Sequence, residues 1–175
     1  MPLWADSQVA WRAWTNLKLL TIGAWKGWLK DMELLIDTNV VLDVFLKREP
    51  FLAMSNRAIT LSRRYREVSN FISATTVTDI YYLTYKKLKN HQIVRGLFKD
   101  LFEFVKVVNV TSKDIQAAFA LNWKDFEDSV QYSVAKSNNF DGIVTRNMEG
   151  FDEDDAVKIF TPEEICEYVE ENLKE

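Results

Sequence analysis

Glu33-Leu34-Leu35-Ile36-Asp37 runs straight into Thr38-Asn39-Val40-Val41-Leu42-Asp43-Val44-Phe45-Leu46. The first five residues form a short apolar run closed by an acid, which reads as a strand buried on both faces. Thr38 and Asn39 then supply helix-start chemistry, and Pro50 closes the segment. A buried strand leading directly into a helix is the opening unit of an α/β chain.

Downstream the pattern repeats. Phe51 to Arg66 reads as helical, with Arg63, Arg64 and Arg66 turned outward. Phe71-Ile72-Ser73-Ala74 reads as a second strand, and Thr75-Thr76 as the start of a helix toward Leu88. A further helix is expected over Gln92 to Phe102, then a β-branched strand from Val105 to Val110. Ser112 and Asp125 are expected to cap helices ending at Leu121 and Asn138. Gly142 to Thr145 and Ala156 to Phe160 read as the last strands, and Thr161-Pro162-Glu163-Glu164 as a capping box opening the final helix. Strands alternating with helices predict a parallel β-sheet of about five strands flanked by helices on both faces.

The first thirty-one residues differ from the rest. Five of the six tryptophans (Trp4, Trp11, Trp14, Trp25, Trp28) fall there, with Arg12, Lys18, Lys26 and Lys30 against Asp6 and Asp31. The formal charge of the chain is −4, so a +2 leader conceals a −6 body. Three readings stay open for 1–31: an amphipathic helix for a partner or membrane surface, an extra helix packed on the domain, or an artefact of the start site ahead of Met32. Residues 32–175 read as one domain.

One histidine (His91) and one cysteine (Cys166) exclude an internal disulfide framework, a Cys/His zinc site and a nuclease built on paired histidines. The lone cysteine and the absence of a secretory pattern lead us to expect a cytoplasmic setting, and no apolar run is long enough to span a membrane. Carboxylates are the abundant reactive material. Asp37, Asp79 and Asp128 all follow strand ends or sit in early helical turns, so a parallel sheet would bring them to one edge. Each alone also reads as a cap or a dipole partner, as does Asp125. Crowded together they repel unless protonated or bridged by a cation, and the fitting cation is Mg²⁺ or Mn²⁺. Phosphodiester hydrolysis is the reaction class that follows.

Four segments in order, Leu34 to Asp43, Ile72 to Tyr82, Asp125 to Asp128, and Ile143 to Asn147, resemble the PIN-domain ribonucleases, most closely the VapC-like toxins of bacterial toxin–antitoxin pairs. The likeness runs from Met32 to the end of the chain. It implies a PIN-like three-layer sandwich and a metal-dependent endoribonuclease whose first, second and third acids are Asp37, Asp79 and Asp128. It implies supporting roles for Thr38, Asn39, Asp125, Thr145 and Asn147. The family's fourth acid falls at Asn147, and the acid often found before the aromatic at Phe151 is Gly150. RNA, a cognate antitoxin protein and a second copy of the chain are the implied partners. Arg63, Arg64, Arg66, Lys86 and Lys87 are candidates for holding RNA, against a bland reading as solvated helix faces. Two other classes remain: a protein-binding relative without strong catalysis, which Asn147 would suit, and a haloacid-dehalogenase-like phosphatase, whose second acid Asn39 cannot supply.

Overall fold

A computed structural model describes residues 31–151 and 156–172. The chain divides into two units, Met1–Lys30 and Asp31–Glu175. The tryptophan-rich leader and Asp152 to Asp155 therefore lie outside the described residues, except for Asp31.

The strands are β1 (Met32–Ile36), β2 (Val68–Ser73), β3 (Val105–Val108), β4 (Gly142–Val144) and β5 (Lys158–Phe160). They pair in the order β3-β2-β1-β4-β5, every pair parallel. The helices are α1 (Thr38–Phe45), α2 (Leu52–Ile59), α3 (Leu61–Arg64), α4 (Ala74–Leu88), α5 (His91–Leu101), α6 (Ser112–Leu121), α7 (Phe126–Ser137) and α8 (Pro162–Asn172). A 3₁₀ turn covers Met148–Gly150.

Alternation along β1 explains the layers. Leu34 and Ile36 face a core shared with Val40, Val41 and Phe45 of α1, Ile80 of α4, Val94 and Phe98 of α5, and Ile165 and Val169 of α8. Leu35 faces the other way, onto Tyr132 and Ala135 of α7 with Ile143, Phe140 and Phe151. All three residues are fully buried, which is why the strand reads as an unbroken apolar run instead of an alternating one. The sheet thus lies between two helical layers, as the alternating pattern predicts.

Two local expectations are corrected. The helix expected over Phe51 to Arg66 breaks at Thr60, whose hydroxyl donates to Asn56 O (2.9 Å) while its backbone leaves the helical region (φ −92°, ψ 5°). The cap of α6 is Thr111, not Ser112: Thr111 Oγ1 accepts from Asp114 N, and the Asp114 carboxylate accepts from Thr111 N (2.7 Å), closing a capping box. Gly142 has a steric role in the sheet. A Cβ there would lie 2.7 Å from Phe160 and 2.9 Å from the Lys158 carbonyl, so β4 and β5 approach this closely only over glycine.

The strand order reverses at β1. From there the chain builds β2 and β3 to one side, then returns to lay β4 and β5 on the other. The carboxyl ends of β1 and β4 flank this switch point, where open parallel sheets form their ligand crevice. Asp37 follows β1 and Thr145 follows β4.

Candidate active site

Asp37 leaves β1 with extended backbone (φ −72°, ψ 153°) and continues the sheet ladder, its N–H donating to Val144 O (3.0 Å). It occupies the N-cap position of α1, yet its side chain makes no cap hydrogen bond. The carboxylate is turned inward instead, and three side chains hold it. Gln131 Nε2 donates to Oδ1 (2.8 Å), Thr145 Oγ1 donates to Oδ2 (2.6 Å), and Asn39 Nδ2 donates to Oδ2. Burial pushes the Asp37 carboxyl above the usual range; the bonds from Thr145 and Gln131 and the nearby backbone N–H groups of Thr38 and Asn39 pull the other way.

The Thr145 hydroxyl is fixed by its own partners. It accepts from Asn39 Nδ2 (3.2 Å) and from Asn147 N (3.0 Å), which leaves its proton directed at Asp37. Asn39 also takes Arg146 N on its Oδ1 (3.2 Å). The Arg146 guanidinium lies 4.0 Å over the ring of Phe51, with Nε 2.8 Å from Oδ2 of Asp43. Asp43 is fully buried in α1 and also accepts from Ser55 Oγ (2.9 Å). A buried ion pair thus ties the loop carrying Thr145 and Asn147 to the helix that begins at Asp37.

The third acid comes from α7. Asp125 is the N-cap, its Oδ1 accepting from Glu127 N (2.9 Å) and Asp128 N (3.4 Å). Asp128 follows in the first turn, and Asn147 Nδ2 approaches its Oδ2 (3.3 Å). Its pKa is raised to about 7, first by burial, then by the charges of Asp37, Asp125 and Glu127, against the Asn147 hydrogen bond. Gly150 closes over it: a Cβ at 150 would overlap Oδ2 and sit 3.1 Å from Cγ. A side chain at 150, such as the acid that the resemblance leads one to expect there, has no room beside Asp128 in this arrangement.

Glu127 belongs to the same group, although the sequence reading did not single it out. Its Oε1 accepts from Thr38 Oγ1 (2.6 Å). Burial raises its pKa, the Thr38 bond lowers it, and the charges of Asp37, Asp79 and Asp125 raise it further. Asp79 stands half-buried in the second turn of α4, a helix opened by Ser73, whose Oγ accepts from Thr76 N (3.0 Å). Glu127 is thus the acid whose surroundings include both Asp37 and Asp79. Gln131 was missed as well. One helical turn beyond Asp128, it shares that residue's face of α7, and the i to i+3 spacing of an acid and a buried amide was the signal available.

Among the described residues no three acidic, histidine or cysteine side chains already converge as a finished metal-ligand set. The fit to a divalent cation is one of chemistry and charge. Asp37, Asp79, Glu127 and Asp128 present only hard oxygen donors, and among the described residues none of them is in an ion pair with lysine or arginine. Their mutual repulsion is what an added positive charge would relieve. A cleft of about 580 Å³ opens beside Asp128, lined by Trp123, Lys124, Asp125, Asn147, Glu149 and Gly150 among others.

The basic candidates do not gather there. Arg63, Arg64 and Arg66 precede β2, whose first residue Val68 pairs with Met32, so they stand at the opposite end of the strands from Asp37. Arg64 pairs with Glu170 of α8 (3.5 Å), as does Arg57, and Arg63 lies over Phe104. Lys86 and Lys87 end α4, about 10 Å along the helix axis beyond Asp79 at 1.5 Å per residue.

A PIN domain family model matches residues 33–149, more than half of the chain. The curated ribonuclease VapC1 of Aquifex aeolicus (strain VF5) is 24% identical over 144 residues, covering 79% of this chain and 96% of its own. Among solved structures, VapBC2 from Rickettsia felis bound to a promoter DNA fragment superimposes with a TM-score of 0.60 at 15% identity, over 74% of this chain and 98% of that one. A toxin–antitoxin complex from Klebsiella pneumoniae gives 0.56 at 21% identity, over 74% and 97%. The sarcin–ricin-loop-cleaving toxin VapC20 of Mycobacterium tuberculosis gives 0.51 at 14% identity, over 69% and 91%. With its parallel sheet, its acids at the switch point and the family match over the segment that carries them, this chain belongs to the PIN-domain family and resembles the VapC-like toxins within it.

Proposed function

We propose that this PIN domain is a divalent-metal-dependent endoribonuclease, the toxin of a bacterial toxin–antitoxin pair, working in the cytoplasm. The observation that carries the reading is the immobilised Asp37 carboxylate at the switch point, with Asp128 and Glu127 supplying further negative charge beside it and Asp79 next to Glu127. Mg²⁺ or Mn²⁺ suits these oxygen donors and, when bound, polarises a phosphoryl oxygen and acidifies a coordinated water.

The residues have separable tasks. Asp37, Asp79 and Asp128, joined by Glu127, hold the cation. Thr145 and Asn39 hold Oδ2 of the Asp37 carboxylate. Asn147, in place of a fourth acid, donates to Asp128 Oδ2 and leaves the site one negative charge poorer. Asp128, with its pKa at about 7, carries a proton part of the time at neutral pH and sheds it when positive charge enters. Lys124, in the wall of the cleft that Asp128 also lines, is the residue that would meet an RNA phosphate there. No protein nucleophile is needed.

An antitoxin protein is the partner this reading takes from the toxin–antitoxin complexes among the structural relatives; a second copy of the chain is the partner the family resemblance implies. Among the described residues no helix is long and apolar enough to cross a membrane. A second reading, a PIN domain that binds a partner without cleaving RNA, draws on the amide at position 147 and on the open spacing of the acids. Incubating the purified chain with total RNA in Mg²⁺ or in EDTA separates the two, with Asp37→Asn beside it. Cleavage in Mg²⁺ that EDTA and Asp37→Asn both abolish is the expected result. Metal binding without cleavage would favour the binding module.

A further inference from the structure

Gln131 stands at the centre of the site with an arrangement that packing alone does not explain. It is 1% exposed, in a stretch of α7 whose neighbours Val130, Tyr132 and Val134 are buried as well. Its Nε2 donates to Asp37 Oδ1 at 2.8 Å, while its Oε1 is buried with no hydrogen-bond partner. The unpartnered carbonyl costs the fold, and the bond from Nε2 to the buried Asp37 carboxylate is what offsets that cost. Asp37 Oδ2 is held by Thr145 and Asn39, and Gln131 is the side chain among the described residues that donates to Oδ1. It also lies one turn from Asp128 on the same helix.

We propose that Gln131 is a positioning residue: it fixes the plane of the Asp37 carboxylate and ties the helix carrying Asp128 to the strand carrying Asp37. This rests on the divalent-cation reading of the site. A carboxylate anchored at one oxygen only still swings about that anchor; anchored at both, it presents its free lone pairs in one direction. Neighbours that orient metal-binding carboxylates in this way typically change metal affinity by 10–100-fold when they are removed.

Gln131→Met removes the donor and the orphaned carbonyl together while keeping side-chain length. Mn²⁺ binding by the intact protein, followed by electron paramagnetic resonance, should weaken about tenfold or more. In RNA cleavage kcat should fall while KM holds. Mn²⁺ affinity within twofold of wild type overturns the role. If the variant does not fold, the wild-type protein still decides. The Gln131 side-chain amide protons, bonded to Asp37, should shift in the NMR spectrum as Mg²⁺ is added, and protons unmoved at saturation overturn the role. A wild-type chain that binds no Mn²⁺ at all refutes the metal-dependent reading, and this role with it; binding that Gln131→Met leaves intact refutes this role alone.

Discussion

Asp43→Asn is a near-isosteric change that removes one charge from the interior of α1. Asp43 is fully buried and faces Arg146 Nε at 2.8 Å, with Arg48 farther off at 3.9 Å. Breaking a buried pair by neutralising one partner typically costs about 3–5 kcal/mol, because the other charge is left without its counterpart. Two features push the value toward the lower end. The Arg146 side chain is 26% exposed and can reach water, and Asp43 Oδ1 has no hydrogen bond to lose. The more exposed Arg48 contributes well under about 1 kcal/mol. A loss of about 3 kcal/mol is therefore expected, which for a domain of this size lowers the unfolding temperature by about 6–12 °C. Urea unfolding of wild type and variant measures it directly. Cleavage should fall by more than the folded fraction explains, since Arg146 sits between Thr145 and Asn147 and its N–H bonds Asn39. A loss below about 1 kcal/mol would refute the argument that this pair fastens the loop to the helix.

Further outcomes follow from the same geometry. Burial and neighbouring acids raise the folded-state pKa of Asp128 from 3.8 to about 7, so the folded protein binds more protons than the unfolded chain between those values. Without divalent ions, stability should fall as pH rises from 4 to 7 and then level off. Denaturation at the two ends of that range should show Asp128→Asn gaining on wild type as the pH increases. Gly150→Ala places a methyl against Oδ2 of Asp128 and 3.1 Å from its Cγ, where carbon atoms prefer about 3.5–4.0 Å, so the carboxylate must move. Cleavage should drop by as much as about 100-fold, with the unfolding temperature little changed. Arg63→Ser with Arg64→Ser should leave cleavage within about threefold and its salt dependence unaltered, because these residues stand at the far end of the strands.

Much of this is legible in the sequence. The apolar run Leu34-Leu35-Ile36 is a both-face-buried strand, and strands alternating with helices imply the parallel sheet that is found. The position of Asp37 follows from that topology, since a residue just past the first strand reaches the crevice where the order reverses. What stayed hidden depends on contacts distant in sequence. Gln131 lies 94 residues from Asp37 and looks, in its own helix, like one more polar residue. Glu127 reads as a first-turn acid until Thr38 is brought against it. The arginines from 63 to 66 look like an RNA-binding cluster on charge alone. Their position at the amino-terminal end of the strands, and the Arg64 pair with Glu170, emerge only once α8 packs against α2.

The chemistry of the cut RNA ends tests the central claim most directly. If the acids around Asp37 activate water for attack on the phosphodiester, every product should carry a 5′-phosphate and a 3′-hydroxyl, and none should form in EDTA. A 2′,3′-cyclic phosphate would show that the RNA's own 2′-hydroxyl is the nucleophile, and cleavage that survives removal of divalent metal would show that no cation is needed; either would contradict the account.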